Sequence, residues 1–289
     1  MPFDLIHNNS NPNAAALTID QMQERCPAAF SNSASPETSS RYGFVNTADA
    51  INILQDNGFQ PVRAIQKPSR KGGSVLFNDH MITFNAPKAF DGSGERGELI
   101  LYNSHNAKSS LKLFAGAFRF ICSNGIVAGE GFEAKMRHSM LTANSFNDLV
   151  NDQAQALPAL MDSIERLKSI AMDPKQVLDF AYDAAALRWS LDPNSELHNT
   201  TEAESLRGSF ATKQTLIDMN ATRRYGDSEA TAWGAFNRSQ EALIRGGVRI
   251  RSYTDRNQHG ANRKARPIAA LAETVRVNRK LWDMADALA

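Results

Sequence analysis

Tyr-Asn-Ser-His-Asn-Ala, at positions 102–107, sets an amide, a hydroxyl and an imidazole side by side, and Lys108 and Lys112 follow closely. Asn103, Ser104, His105 and Lys108 carry donors of the kind that hold a phosphate or another acidic group. The stretch leads from an expected strand into an expected helix, and at a helix N-terminus free backbone N–H groups and the dipole favour an anion. The same side chains would serve equally well to cap the turn, so two readings stand: an anion site and a local cap.

A second group is cationic. Residues 109–125 read SSLKLFAGAFRFICSNG. At about 100° per residue, Lys112, Ala115, Gly116, Arg119 and Ser123 share one stripe of a helix, and leucines and phenylalanines cover the rest. Ser109 or Ser110 would cap its start, and Asn124-Gly125 would stop it. The stripe is either a solvated strip with snorkelling cations or the floor of a groove. Arg70 and Lys71 in the loop KPSRKGG, and Lys135 and Arg137 at a strand end, bring two further cationic segments towards Lys112 and Arg119. Arg249, Arg251, Arg263 and Lys264 form an auxiliary basic arm. A surface of this kind tracks a phosphate backbone, with salt-sensitive and sequence-tolerant affinity. Aromatic residues interleaved with the basic block (Tyr225, Trp233, Phe236, Tyr253 and Trp282) would add base stacking if exposed.

Other chemistries leave no mark. The six histidines lack metal-ligand spacing, and CxxC, HExxH, GxxxxGK[ST] and GxSxG are absent. GSGERG precedes a strand instead of opening a helix, which argues against dinucleotide binding. The acidic residues of 148–206 lie on amphipathic helices at no two-metal spacing. No cofactor and no catalytic residue are expected.

The elements that must position these groups follow from composition and period. The chain has 289 residues, 42% hydrophobic and 22% charged, enough for one large or two smaller cores. Its net charge of +1 hides segregation. Residues 148–206 carry eleven acidic against four basic side chains, and residues 223–280 carry thirteen basic against five acidic. A basic surface for a polyanion and an acidic surface for another contact are implied. No apolar run reaches the roughly 20 residues of a membrane helix. With Cys26 and Cys122 far apart and no basic-then-apolar leader, a cytoplasmic location and reduced thiols are expected.

Along the chain, residues 1–40 read as an arm and short helix capped by Thr18. Residues 41–144 read as an α+β core: a helix capped near Thr47, strands over 60–66, 75–85 and 98–103, then the Phe-rich helix covering an antiparallel sheet. Residues 145–289 read as a largely helical region with a basic segment. Pro158 should start, break or kink its helix. Asp173-Pro174 should open the next. RIRSYTDRNQHGANRKARP shows no period and reads as a mobile connection.

The stretch LYNSHNAKSSLKLFAGAFRFICSNGIVAG, with RYGFVNTADAINILQDNGF before it and ATAWGAFNRSQEAL after it, resembles the phage/plasmid-like domain family of unknown function, DUF932. That resemblance implies a protein of phages and mobile elements and brings no established reaction. The expected order of three antiparallel strands and a helix is also similar to the core of single-strand annealing proteins of the RecT, Red-beta and Erf type, an analogy of topology. The expectation is a non-enzymatic protein that binds single-stranded DNA or RNA, acting in annealing or recombination as a homo-oligomer. The alternative is an interaction module that takes a host protein in host takeover or counter-defence.

Overall fold

Residues Leu111–Arg119, expected as the Phe-rich helix, form a strand. The physical reason is burial on both faces. Leu111, Leu113, Ala115 and Ala117 occupy one face and Phe114 and Gly116 the other, and all are buried. A strand covered on two sides is a continuous apolar run, which periodicity alone does not distinguish from a buried helix. The β-β-β-α core therefore becomes a run of consecutive antiparallel strands. The element order behind the likeness to annealing proteins is not present.

The computed structural model describes residues 15–69, 74–90, 95–119, 125–127, 133–136, 142–192, 207–221, 223, 228–254 and 256–289. At 90, 118, 119, 125–127, 133–136, 143, 258 and 271 that description is of the backbone alone. The chain divides into two compact units, one ending at Asp162 and the other spanning Ser163–Ala289.

In the first unit, α1 (Ile19–Arg25) starts as expected at Thr18, whose hydroxyl accepts from Gln21 N in a capping box. Helix α2 (Thr47–Asp56) starts one residue earlier than expected, with Asn46 as its cap. Strands β1 (Gln60–Gln66), β2 (His80–Asn85), β3 (Glu95–Asn103) and β4 (Leu111–Arg119) pair in chain order, and β5 (Gly125–Val127) and β6 (Glu133–Met136) both pair with β4. Every pairing is antiparallel. Ile82, Phe84, Leu99, Leu101, Leu111 and Leu113 are buried in the sheet, as are Ala50, Ile51 and Leu54 of α2. Each fully buried aliphatic or aromatic side chain contributes about 1.5–3 kcal/mol.

Helix α3 (Ala143–Ser169) continues through Pro158 without a break. In the second unit, Asp173 caps α4 (Pro174–Ala186) as expected, through a capping box with Gln176. The helices α5 (Lys213–Asn220), α6 (Ala232–Arg245) and α7 (Leu271–Asp286) follow. Unit two is not purely helical. It holds a four-stranded sheet in the order β10-β9-β8-β7, made of β7 (Ser190–Leu191), β8 (Gly208–Ala211), β9 (Arg249–Thr254) and β10 (Asn257–Lys264). The segment expected as a periodless mobile connection is thus a β-hairpin at the edge of a sheet. Four of the five aromatics expected at a stacking surface are core instead, and Tyr225 lies outside the described residues. Trp233, Phe236, Tyr253 and Trp282 are buried, Trp233 stacks on Phe236, and Trp282 meets Phe236 edge-on.

Candidate nucleic-acid interface

The β9–β10 hairpin gathers the expected auxiliary arm into one place. Lys264 is the register partner of Arg249, Arg263 of Ile250, and Asn262 of Arg251. Between 249 and 266 the sequence has six cations and one acidic residue, Asp255. They divide sharply. Arg249 grips Asp218 with two nitrogens, Nη2 to Oδ1 at 2.5 Å and Nε to Oδ2 at 2.9 Å. That bidentate pair holds the Asp218 carboxyl down at about 2. Arg251 donates to Asn262 Oδ1 at 3.2 Å and to the His259 carbonyl, spending its guanidinium on the hairpin itself. Arg263 and Lys264 are exposed and, among the described residues, have no ion pair or hydrogen-bond partner for their charged groups, and the same holds for Arg256 and Arg266. The last two were counted in the basic block but not singled out, because a segment without period gives no face on which to place them.

Hairpin geometry is fixed by one glycine. Gly260 has φ +71, and a Cβ there would lie 2.7 Å from both Tyr253 Cε1 and Arg251 Nε. The register shift between Asn257 and Ala261 absorbs the extra residues. Tyr253 anchors the sheet by donating its hydroxyl to Asp192, at 3.1 and 3.0 Å from the two carboxylate oxygens.

In the first unit, Lys112 of β4 is half-buried and is the register partner of Lys135 of β6, so two of the expected contacts come to adjacent positions. Arg119, the last residue of β4, is the register partner of Glu95. Seven residues apart, 112 and 119 share a helix stripe but fall on opposite sides of a strand. The single stripe expected to join them does not exist. Arg70, Lys71 and Arg137 lie outside the described residues, as does Cys122.

The expected anion site is a buried hub. No helix N-terminus follows residue 105, since β4 is a strand, and Asn103, Ser104 and His105 are all fully buried; Lys108 alone is exposed. Thr47 Oγ1 is the centre of the hub. It lies 2.8 Å from His80 Nε2, 3.3 Å from His105 Nε2, and 2.9 Å from the donating Asn103 Nδ2. Asn103 Oδ1 accepts from Ser104 N at 2.8 Å, and the Tyr42 hydroxyl donates to the Ser104 carbonyl at 3.0 Å. Bonds spanning 33 to 62 positions make these residues a link between elements, which is neither the helix-terminus anion site nor the local cap expected. The signal was already in the sequence, since Thr47 and His80 are polar residues beside apolar strand and helix patterns.

Sequence reasoning missed Glu98. It sits mid-strand in β3, 2% exposed, between Asn85 of β2 and Gly116 of β4. Burial pushes its carboxyl up to about 7, against the pull of the Arg63 and Arg96 charges, and Oε2 has no hydrogen-bond partner. Cys26 is a buried free thiol, pushed up to about 12 by burial. Among the described residues no group of three or more His, Cys, Asp or Glu side chains could hold a metal ion, and no helix is long and apolar enough to cross a membrane.

Comparison with known proteins agrees with the family resemblance. Two curated proteins of Escherichia coli (strain K12) are similar to this chain along nearly its whole length. The UPF0380 protein YafZ is 29% identical over 280 residues, 94% of this chain and 91% of the relative. The UPF0380 protein YfjQ is 28% identical over the same extent. No solved structure matches. A family model described as a domain of unknown function matches residues 37–282, and the chain accordingly belongs to the DUF932 family.

Proposed function

We propose that this chain is a non-enzymatic protein that binds single-stranded nucleic acid, in the setting of a phage or mobile element, with the β9–β10 hairpin as its main phosphate contact. One observation carries the reading: Arg256, Arg263, Lys264 and Arg266 are exposed cations, without partners among the described residues, on one hairpin and its exit. Holding a cation unpaired beside others costs self-repulsion, which an anionic ligand relieves. An edge strand also gains from charge because charge deters pairing with other chains. Arg256 and Arg266 lie outside β10, however, and edge protection does not call for them. Lys112, beside the position of Lys135, would extend the contact surface within its own unit. Strand annealing is the reaction that such binding supports without nucleotide or metal, since two strands need only charge neutralisation and exposed bases.

The test is fluorescence anisotropy with a labelled oligo(dT) and with an RNA of equal length, without ATP or magnesium, followed by an annealing assay with complementary oligonucleotides. Binding that weakens steeply with salt supports the reading. Absence of binding at low salt removes it. A second reading, a protein-interaction module, draws on Leu178 and Ile217, which are exposed on the neighbouring helices α4 and α5 beside Asp179 and Asp183. Co-purification of a defined host protein that is lost on Leu178→Asp favours it.

A further inference from the structure

Arg251 and Asn262 are register partners across the β9–β10 hairpin, and the bond between them fixes which way the Asn262 amide faces. A guanidinium has five N–H donors and no acceptor. Asn262 can therefore meet Arg251 Nη1, at 3.2 Å, only through its side-chain oxygen Oδ1. The guanidinium is itself tied down. Its Nη2 donates to the His259 carbonyl, and its Nε passes so close to Gly260 that a Cβ there would lie 2.7 Å from it. An asparagine amide can ordinarily turn over and exchange its donor and acceptor ends. Here the turned-over amide would aim N–H at N–H and lose the bond, so one orientation is selected.

What Asn262 offers outwards is then its –NH2 group. The side chain is exposed, and Nδ2 has no hydrogen-bond partner among the described residues. Lys264 lies two positions on, on the same face of β10, and adds three more donors without an acceptor. Among the described strands β10 ends its sheet, so no neighbouring strand covers these groups. This face of the hairpin presents donors only. Its ligand must bring acceptors: a phosphate for Lys264, and for Asn262 a group that accepts without donating.

The bases divide on that criterion. Thymine, uracil and guanine carry a carbonyl where cytosine and adenine carry an amino group. An asparagine with a free amide reads adenine by donating to N7 and accepting from the amino group. That mode is closed to Asn262, whose acceptor is held by Arg251. We propose that Asn262, oriented by Arg251, makes the hairpin select keto bases (thymine, uracil or guanine) over amino bases in single-stranded nucleic acid. The selection rests on the hairpin's role in binding proposed above and adds to it the base beside the phosphate. Asn262 touches the base, and Arg251 is a positioning residue that acts through it.

The test compares oligo(dU) with oligo(dC) of equal length, which share backbone and 2-carbonyl and both lack a methyl group. Fluorescence anisotropy with the full-length protein is read at low salt and pH 8, where cytosine is uncharged. Wild type should bind oligo(dU) about 3- to 10-fold more tightly, the worth of one net hydrogen bond. Asn262→Ala should bring the ratio close to one without flattening the salt dependence, because no charge is lost. Asn262→Asp should invert the ratio, since the carboxylate oxygen not held by Arg251 only accepts and so meets the cytosine amino group. Arg251→Met frees the amide to turn and should erase the preference although Asn262 is intact. A folded Asn262→Ala or Arg251→Met protein that keeps the wild-type ratio overturns the proposal, and if Arg251→Met does not fold, the Asn262 variants decide. Equal affinity of wild type for the two oligonucleotides overturns base selection and leaves phosphate binding standing. Failure to bind either at low salt overturns the single-strand reading and base selection with it.

Discussion

Removing two of the four unpaired hairpin cations should change the salt dependence of binding by a calculable amount. Arg263→Gln with Lys264→Gln keeps β10 polar while deleting two charges that have no partner among the described residues. For single strands the slope of log affinity against log salt is roughly −0.7 per phosphate neutralised, so four contacts give about −2.8 and two give about −1.4. Between 50 and 200 mM KCl the wild-type protein should therefore lose affinity about 50-fold and the double variant about 7-fold. Anisotropy titrations of labelled oligo(dT) at four salt concentrations measure both slopes. The control lies on the same strand pair. Arg249 is exposed, but its charge is already held by Asp218, so Arg249→Gln should leave the slope within about 0.5 of wild type. A double variant that is folded and retains the wild-type slope, or an Arg249→Gln slope that falls as far as the double variant's, refutes the assignment of phosphate contact to the unpaired cations.

Three further outcomes follow from particular groups. Asp218→Asn should destabilise the protein at neutral pH by about 1 kcal/mol once solvent screening is allowed for; because the folded carboxyl is held at about 2 against an ordinary 3.8, urea melts of the two proteins should converge as pH falls through that window. Glu98→Gln should act in the opposite sense. The folded carboxyl is raised from 4.5 to about 7, so wild type loses stability as pH rises through that interval while the variant does not. Melts at pH 8 should then favour the variant by up to about 3 kcal/mol, with the advantage gone near pH 4.5. Gly260→Ala should destabilise by at least about 1 kcal/mol, since φ +71 and a Cβ 2.7 Å from the Tyr253 ring leave it nowhere to sit, and a thermal melt reads the loss.

How far the fold could be read from the sequence depended on whether each segment's pattern had one physical cause or two. Strand β1 was expected over the residues it occupies, because Asn57-Gly58 ends the helix before it and KPSRKGG follows it. The Thr18 and Asp173 caps were legible for the same reason: a short polar side chain just before a helix has few other uses. Strand β4 was not, because burial on both faces erases the period that separates strand from helix. The cost was large, since residues 112 and 119 exchanged one stripe for two faces. β10 was hidden in the opposite way. An edge strand reading NQHGANRK has no apolar alternation to show.

The candidate site met a different limit. Arg249 and Arg263 are the same residue type, on adjacent strands of one hairpin. What separates a structural cation from one available to a ligand is Asp218, thirty-one positions before Arg249 in the chain. Charge counted along a sequence cannot register that capture, and the excess over residues 223–280 therefore overstates the charge open to a polyanion. The interleaved aromatics fail for a related reason. Trp233 and Trp282 sit among cations in sequence and among each other's neighbours in space. A composition argument for nucleic-acid binding thus rested largely on stacking groups, Trp233, Phe236, Tyr253 and Trp282, that are not at the surface. What remains for the proposal is the narrower ground of Arg256, Arg263, Lys264 and Arg266, which have no counter-charge among the described residues and which a phosphate backbone would supply with one.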